Sequence, residues 1–232
     1  FGLNEILAKI FNNNELESQS IYHLVIDLLL SLQKQDIPND FKLKQFNNDL
    51  LAKELSVFID YYIPYSYKRE LSDSESKEFM DIWHSILSSQ APMDDSIVLR
   101  DYHVENMMYL PDRDSFAKIG LLDFQDALCG SPIYDLVSVL EDARISVPRD
   151  KALGYIKYFS DQKNVDIESV LLNYHILGAQ RNSRILGVFA RKAIRDNDIT
   201  YLSYIKRVKN YLDYDLSHPF LSKLKEWFIQ LK

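Results

Sequence analysis

Residues 99–127 read LRDYHVENMMYLPDRDSFAKIGLLDFQDA. Two short apolar runs, Met107–Leu110 and Ile119–Leu122, flank the polar, turn-rich segment PDRDSFAK. Apolar runs of this length bounded by turn residues predict a two-stranded β-hairpin. Antiparallel pairing brings the outer ends of such a hairpin together. Asp101 and Asn106 then lie on the loop entering the first strand, and Asp123 lies just after the second, 17 residues beyond Asn106.

Outward from the hairpin the period becomes helical. Ile21, Leu24, Val25, Leu28, Leu29 and Leu32 follow i, i+3, i+4 spacing and predict one buried helix face. Leu51, Leu55, Phe58, Ile59 and Tyr62 repeat the pattern over 49–63, with Pro64 expected to stop it. Ser72 and Glu75 form a capping box for a helix through about Ser88, whose apolar side is Phe79, Trp83, Ile86 and Leu87. Ser131–Pro132 reads as an N-cap and an N1 proline opening a helix with Tyr134, Leu136, Val137, Val139 and Leu140. Further helices are expected at about 151–161, 167–196 (with a possible break), 198–213 and 219–231. There is no repeat, low-complexity tract or linker. The expected fold is therefore mainly α with a small β-hairpin, one domain over 1–232.

The bulk numbers bound the function. A formal net charge of −7 with no basic tract argues against nucleic acid or an anionic membrane as partner. A lone cysteine, Cys129, forbids an internal disulfide, disfavours a thiolate metal site and fits a reducing cytoplasm. Leu24–Leu32, the longest apolar stretch, is too short to span a bilayer, and no signal peptide is visible. The six glycines are too dispersed for a phosphate-cradling loop, so GxGxxG and GxxxxGK[ST] are both absent. The chain opens on Phe1 rather than Met, which leads us to expect sequence upstream.

Asp101, Asn106 and Asp123 are residue types that phosphoryl transfer uses. One carboxylate orients a hydroxyl and takes its proton late; an amide oxygen and a second carboxylate hold Mg²⁺ against nucleotide phosphates. Oxygen-only ligation suits that hard cation. An Asp with an Asn five residues later is a common turn pattern by itself. Here Arg100 precedes the Asp, an apolar strand follows the Asn, and a second strand ends in Asp-Phe, the order R-D-x-x-x-x-N then D-F of kinases.

On these residues the chain resembles the aminoglycoside phosphotransferase/choline kinase family, a branch of the protein-kinase-like fold. Within it, the chain is most similar to bacterial kinases that phosphorylate the anomeric hydroxyl of N-acetylmuramate and N-acetylglucosamine. The matching text is RDYHVENMMYL, GLLDFQDALCGSPIYDLVSVLEDAR and QRNSRILGVFARKAIRDN, with a looser match at KELSVFIDYYI, 53–63. The resemblance implies that Asp101 is the catalytic aspartate, that Asn106 and Asp123 are Mg²⁺ ligands facing ATP, and that Asp135 is a buried brace for the catalytic loop. It places His103, Gln125, Asp126, Glu54 and Arg181 near the acceptor. It also implies a C-terminal lobe whose N-terminal β lobe is absent, with Phe1–Gly2 resembling the end of the hinge. The isolated lobe is then expected to turn over negligibly and to bind ATP weakly at most. Leu99 departs from the family's usual His before Arg-Asp, which bears on loop packing more than on chemistry.

Other readings of the same residues remain. Glu54, Glu105 and Asp126 could serve a cationic acceptor, as in an aminoglycoside, choline or other amino-alcohol kinase. A non-catalytic kinase-like binding module is opposed by the intact triad. A metal-dependent hydrolase is opposed by histidines that lack metal-ligand spacing. Arg181, Arg184, Arg191 and Arg195 fall on one helical segment and could equally be a solvated face.

Overall fold

The computed structural model describes residues 5–11, 15–37 and 42–231. Phe1 and Gly2 lie outside them. The strands are β1 (Glu5–Ile6), β2 (Ser96–Val98), β3 (Met107–Tyr109), β4 (Ile119–Leu121) and β5 (Leu128–Gly130). The α-helices are α1 (Leu7–Phe11), α2 (Glu15–Leu32), α3 (Asn48–Lys53), α4 (Ile63–Tyr67), α5 (Asp73–Leu87), α6 (Ile133–Leu140), α7 (Arg149–Lys163), α8 (Ile167–Arg195), α9 (Ile205–Asp215) and α10 (Ser222–Gln230). The chain divides into two compact units. The first comprises residues 1–46 and 92–171, and the second comprises 47–91 and 172–232.

In the first unit the hairpin forms as expected, β3 against β4 in antiparallel register, Met107 opposite Leu121 and Tyr109 opposite Ile119. The Leu110 amide donates to the Lys118 carbonyl at 2.7 Å and closes the turn side. Two features go beyond the hairpin. Residues 5–6 add β1 to the free edge of β3. β2 and β5 make a second antiparallel ladder, Ser96 opposite Gly130. Three-residue strands are too short to show alternation in sequence. On its other side β5 meets residues 44–46, and a Cβ at Gly130 would stand 3.0 Å from the Phe46 carbonyl oxygen and Cβ, so glycine permits this close approach.

α2 packs against α7 and the hairpin. Its buried residues are Ile21, Tyr22, Val25, Ile26, Leu29 and Leu30, while Leu24, Leu28 and Leu32 are partly exposed. The buried stripe is thus rotated toward Tyr22 and Ile26, because α2 has packing partners on more than one side. α6 is buried along its whole length. Pro132 is its N-cap and Ser131 sits one residue earlier than expected, accepting the Tyr134 amide through its carbonyl at 3.2 Å.

In the second unit α5 matches the expectation closely. The capping box of Ser72 and Glu75 is complete, and Phe79, Trp83, Ile86 and Leu87 are its buried face. The 49–63 segment does not. Its helix breaks after α3, a π-helical turn covers Phe58–Tyr62, and Pro64 begins α4 rather than ending a helix. Proline in the first turn of a helix loses no needed donor, so Pro64 is tolerated there. α8 runs unbroken for 29 residues. A Cβ at Gly187 would lie 2.5 Å from the Val57 backbone, which is how closely α8 crosses that π-turn. The last two expected helices each begin with a 3-10 turn, Thr200–Tyr204 and Pro219–Leu221. His218 caps the second, its Nδ1 accepting the Phe220 amide at 3.3 Å.

Candidate active site

The candidate residues of the first unit gather where the hairpin's open end meets the loop after β2. β2 delivers Leu99 and Arg100 to the N-terminal turn of α6. There the Asp135 carboxylate, fully buried, accepts the Leu99 amide at 2.6 Å and the Arg100 amide at 2.9 Å. A buried carboxylate needs such partners, and charge-assisted bonds to backbone amides are among the strong ones. One turn along α6, the Ser138 hydroxyl donates to the Arg100 carbonyl at 3.2 Å. These bonds hold Arg100 at φ 69, a left-handed conformation that a non-glycine residue adopts only when its surroundings enforce it. The Arg100 guanidinium lies 5.3 Å from the centre of the Phe46 ring.

The chain then turns sharply, with the Asp101 amide donating to the Leu99 carbonyl at 2.8 Å. Asp101 is exposed. Tyr102 points inward, its hydroxyl donating to the Val25 carbonyl at 2.7 Å. Burial, reinforced by the Asp135 charge, pushes that phenol's pKa well above its ordinary value. A 3-10 turn over Val104–Asn106 leads into β3.

This second half of the loop has its own clamp. Asp142, also fully buried, accepts the Val104 amide at 3.1 Å and the Arg144 amide at 2.9 Å. Arg144 reaches back to Glu105 through Nε at 2.5 Å and to Asp142 through Nη1 at 3.4 Å. Burial disfavours the guanidinium's charge, yet the two carboxylates outweigh it and hold Arg144 above its ordinary pKa. Sequence reading does not pick out Asp142, Arg144 or Ser138. The available signal was three charges, Glu141, Asp142 and Arg144, directly after an apolar helix, because buried charges there must be paired. Glu141 is paired as well, with Arg149 at 3.1 Å.

Asn106 and Asp123 are joined through the hairpin. The Leu122 amide donates to the Asn106 carbonyl at 2.9 Å, extending the β3–β4 ladder by one step and placing Asp123 beside it. Asn106 Nδ2 donates to the Asp101 carbonyl at 3.1 Å, which turns the amide oxygen toward the opposite side. Asp123 is exposed, sits at φ 58, and accepts from Gln125 Nε2. An amide oxygen and a carboxylate on adjacent strand ends are a donor set for a hard divalent cation that keeps most of its water. No group of three or more His, Cys, Asp or Glu able to hold a metal occurs among the described residues. A cation here would therefore draw its remaining ligands from water and phosphate.

The other candidates are differently placed. Asp126 is exposed in the turn after Asp123. His103 is buried at 8% exposure, and its amide donates to the Asp101 carbonyl at 3.0 Å. Leu99, the departure from the expected His, is buried and keeps its amide on Asp135. Glu54 and Arg181 belong to the second unit. Glu54 pairs with Arg184 Nε at 3.1 Å, and Arg181 is buried in α8 at 3% exposure, not on a solvated face.

No helix among the described residues is long and apolar enough to cross a membrane. The mainly helical, protein-kinase-like fold is shared with the solved choline kinase of Streptococcus pneumoniae (TM-score 0.60, 13% identity, 92% of this chain and 68% of that one). The model of the phosphotransferase enzyme family matches residues 5–164, and the chain belongs to that family. Among curated relatives, an N-acetylmuramate/N-acetylglucosamine kinase of Caulobacter vibrioides is 33% identical over 90% of this chain and 59% of its own length. A protein of the same name from Pseudomonas putida is 26% identical over 94% of this chain and 65% of its own. The chain thus spans about three fifths of the length of these relatives.

Proposed function

We propose that this chain carries the catalytic and acceptor-side half of an ATP- and Mg²⁺-dependent kinase that phosphorylates a hydroxyl of a small amino sugar of the N-acetylmuramate or N-acetylglucosamine kind. The observation that carries the reading is the double clamp. Asp135 and Asp142 use buried carboxylates to fix the backbone on both sides of Asp101, and the hairpin sets Asn106 beside Asp123. Phosphoryl transfer asks little covalent chemistry of a protein, so rigid placement of such groups is most of what catalysis requires.

In this reading Asp101 accepts a hydrogen bond from the acceptor hydroxyl, aligns it with the terminal phosphate and takes its proton as the new O–P bond forms. Asn106 and Asp123 would hold Mg²⁺, which supplies charge neutralisation on the phosphates when bound. Exposure of Asp101 on a braced loop suits a base that must meet a diffusing substrate. The names of the curated relatives support a sugar acceptor. So does the pairing of Glu54 with Arg184 and of Glu105 with Arg144. That pairing engages two of the three carboxylates that a cationic acceptor would call upon.

Asp101→Ala in the full-length protein should lower turnover by about 10²–10⁴-fold while leaving Mg-ATP affinity nearly unchanged. Retained turnover would remove Asp101 from this role. Transfer to choline but not to amino sugars, in an acceptor panel followed by product analysis, would overturn the sugar reading.

A further inference from the structure

The second unit encloses a cavity of about 420 Å³ whose lining residues all belong to that unit. Such a volume falls in the range of small-ligand sites, roughly 300–1,000 Å³. α8 contributes Leu186, α9 and its C-cap contribute Leu212 and Leu216, and α10 contributes Phe228. Tyr62 is the last residue of the π-helical turn and Tyr67 the last of α4. They complete the wall, their rings meeting edge to face at 6.5 Å between centres. None of the candidate catalytic or acceptor residues named above lines this cavity.

Two features turn this apolar space into a site. The first is the Tyr62 hydroxyl. Tyr62 is 2% exposed, and its oxygen is buried with no hydrogen-bond partner among the described residues. Burial raises the phenol's pKa and keeps it a neutral donor. Ser66, one turn on, opposes that shift but does not meet hydrogen-bond geometry. An orphaned buried hydroxyl costs stability, and a guest that accepts from it removes the cost. The second feature is the rim. Lys209 and Asp213, four apart on α9, and Lys225 on α10 are exposed there and make no hydrogen bond or ion pair among the described residues. Two ammonium groups against one carboxylate leave the rim net positive.

We propose that this cavity binds a small hydroxyaryl carboxylate, with its ring inside, its hydroxyl on Tyr62 and its carboxylate at Lys209 and Lys225. Three aromatic walls, Tyr62, Tyr67 and Phe228, favour a flat ring over a flexible alkyl chain, which would lose more rotational freedom on binding. An alkyl carboxylate would also leave the Tyr62 hydroxyl orphaned. The lysine pair sets the sign of the head group, and Asp213 beside it weakens the attraction without reversing it. The proposal does not depend on the kinase reading.

The probe is para-hydroxyphenylacetate, titrated calorimetrically into the full-length protein, and saturable binding with Kd below about 1 mM is expected. Tyr62→Phe should weaken it about five- to thirtyfold while leaving phenylacetate, which has no hydroxyl, bound as before. The same substitution should not lower the melting temperature of the ligand-free protein, because it removes an unpaired hydroxyl and keeps the ring. Lys209→Gln and Lys225→Gln should each weaken the probe about two- to fivefold and reduce its salt dependence, without affecting para-hydroxyphenylacetamide. Asp213→Asn should tighten the probe by a similar factor. Absence of saturable binding would overturn the proposal, as would unchanged affinity in Tyr62→Phe. A lowered melting temperature in ligand-free Tyr62→Phe would overturn it too, since the hydroxyl would then be bonded within the fold.

Discussion

The loop around Asp101 and the helical body of the second unit are held by opposite means. The loop has almost no regular structure, and its stability comes from buried carboxylates on backbone amides, Asp135 at Leu99 and Arg100 and Asp142 at Val104. The second unit is held by ring packing. Phe79 touches Phe58, Trp83, Trp227 and Phe228, with ring centres 4.5 to 6.5 Å apart. Its own buried carboxylate, Asp215, bonds side chains instead, Asn182 Nδ2 at 2.9 Å and His175 Nδ1 at 3.3 Å. Dispersion and apolar burial tolerate small displacements, whereas a bidentate carboxylate fixes two amides to within tenths of an ångström. The base role proposed for Asp101 calls for one fixed geometry, which the second device supplies.

That contrast can be broken by substitution in either region. Phe79→Ala should cost about 3–5 kcal/mol, since it leaves a cavity among aromatic rings. In the full-length protein it should lower the denaturation midpoint while leaving kcat at low temperature close to wild type. A large loss of kcat with the fold intact would show that the ring stack also positions the site. Asp135→Ala should cost about 3 kcal/mol, because a buried and a part-buried amide lose a charged acceptor. It should also depress kcat, and a variant that unfolds more easily but turns over normally would contradict the loop's dependence on Asp135.

Arg144→Gln removes only the outer member of the second clamp. The expected stability change is about 1–3 kcal/mol, because the fully buried Asp142 loses a cationic partner while keeping its backbone amides. A few-fold to about tenfold fall in kcat with an unchanged acceptor KM is expected if Asn106 shifts slightly. An equal change in KM alone would point to acceptor contact instead.

The smallest expected effect lies at the capping box of α5. Arg69, then Ser72, hold the Glu75 carboxyl down to about 2 from 4.5. A depressed folded-state pKa gives stability that is complete above the ordinary carboxyl range and lost as pH falls through the folded value. The melting-temperature gap between wild type and Glu75→Gln should therefore narrow steadily from pH 4.5 toward 2. A gap that stays constant over that range would remove the capping carboxylate from the account.

Much of this was readable in the chain. The hairpin, the capping box of α5 and its four buried apolar residues all follow from local pattern. So does the placement of Asp101, Asn106 and Asp123 at the hairpin's open end. The misreadings have a common cause. Pro64 was expected to end a helix because its missing donor forbids a helix interior, yet a π-turn before it makes position 64 a first turn. The stripe of α2 was rotated because periodicity reports apolar spacing and not how many neighbours a helix has. β1, β2 and β5 lack what made β3 and β4 legible, a pair of apolar runs flanking one turn-rich segment, because their partners lie far away in sequence.

The sequence by itself determined which chemistry is within reach: an oxygen-rich triad with kinase spacing, and no glycine loop, thiolate cluster or basic tract. Those properties depend on residue types and short separations, which local physics governs. The resemblance already implied a brace at Asp135; tertiary structure alone added Asp142 and decided which amides each carboxylate takes. Asp142 meets Val104 across 38 residues and Asp135 meets Leu99 across 36. Such pairings are chosen by burial, which forces each enclosed carboxylate to find whichever amide the fold has brought beside it.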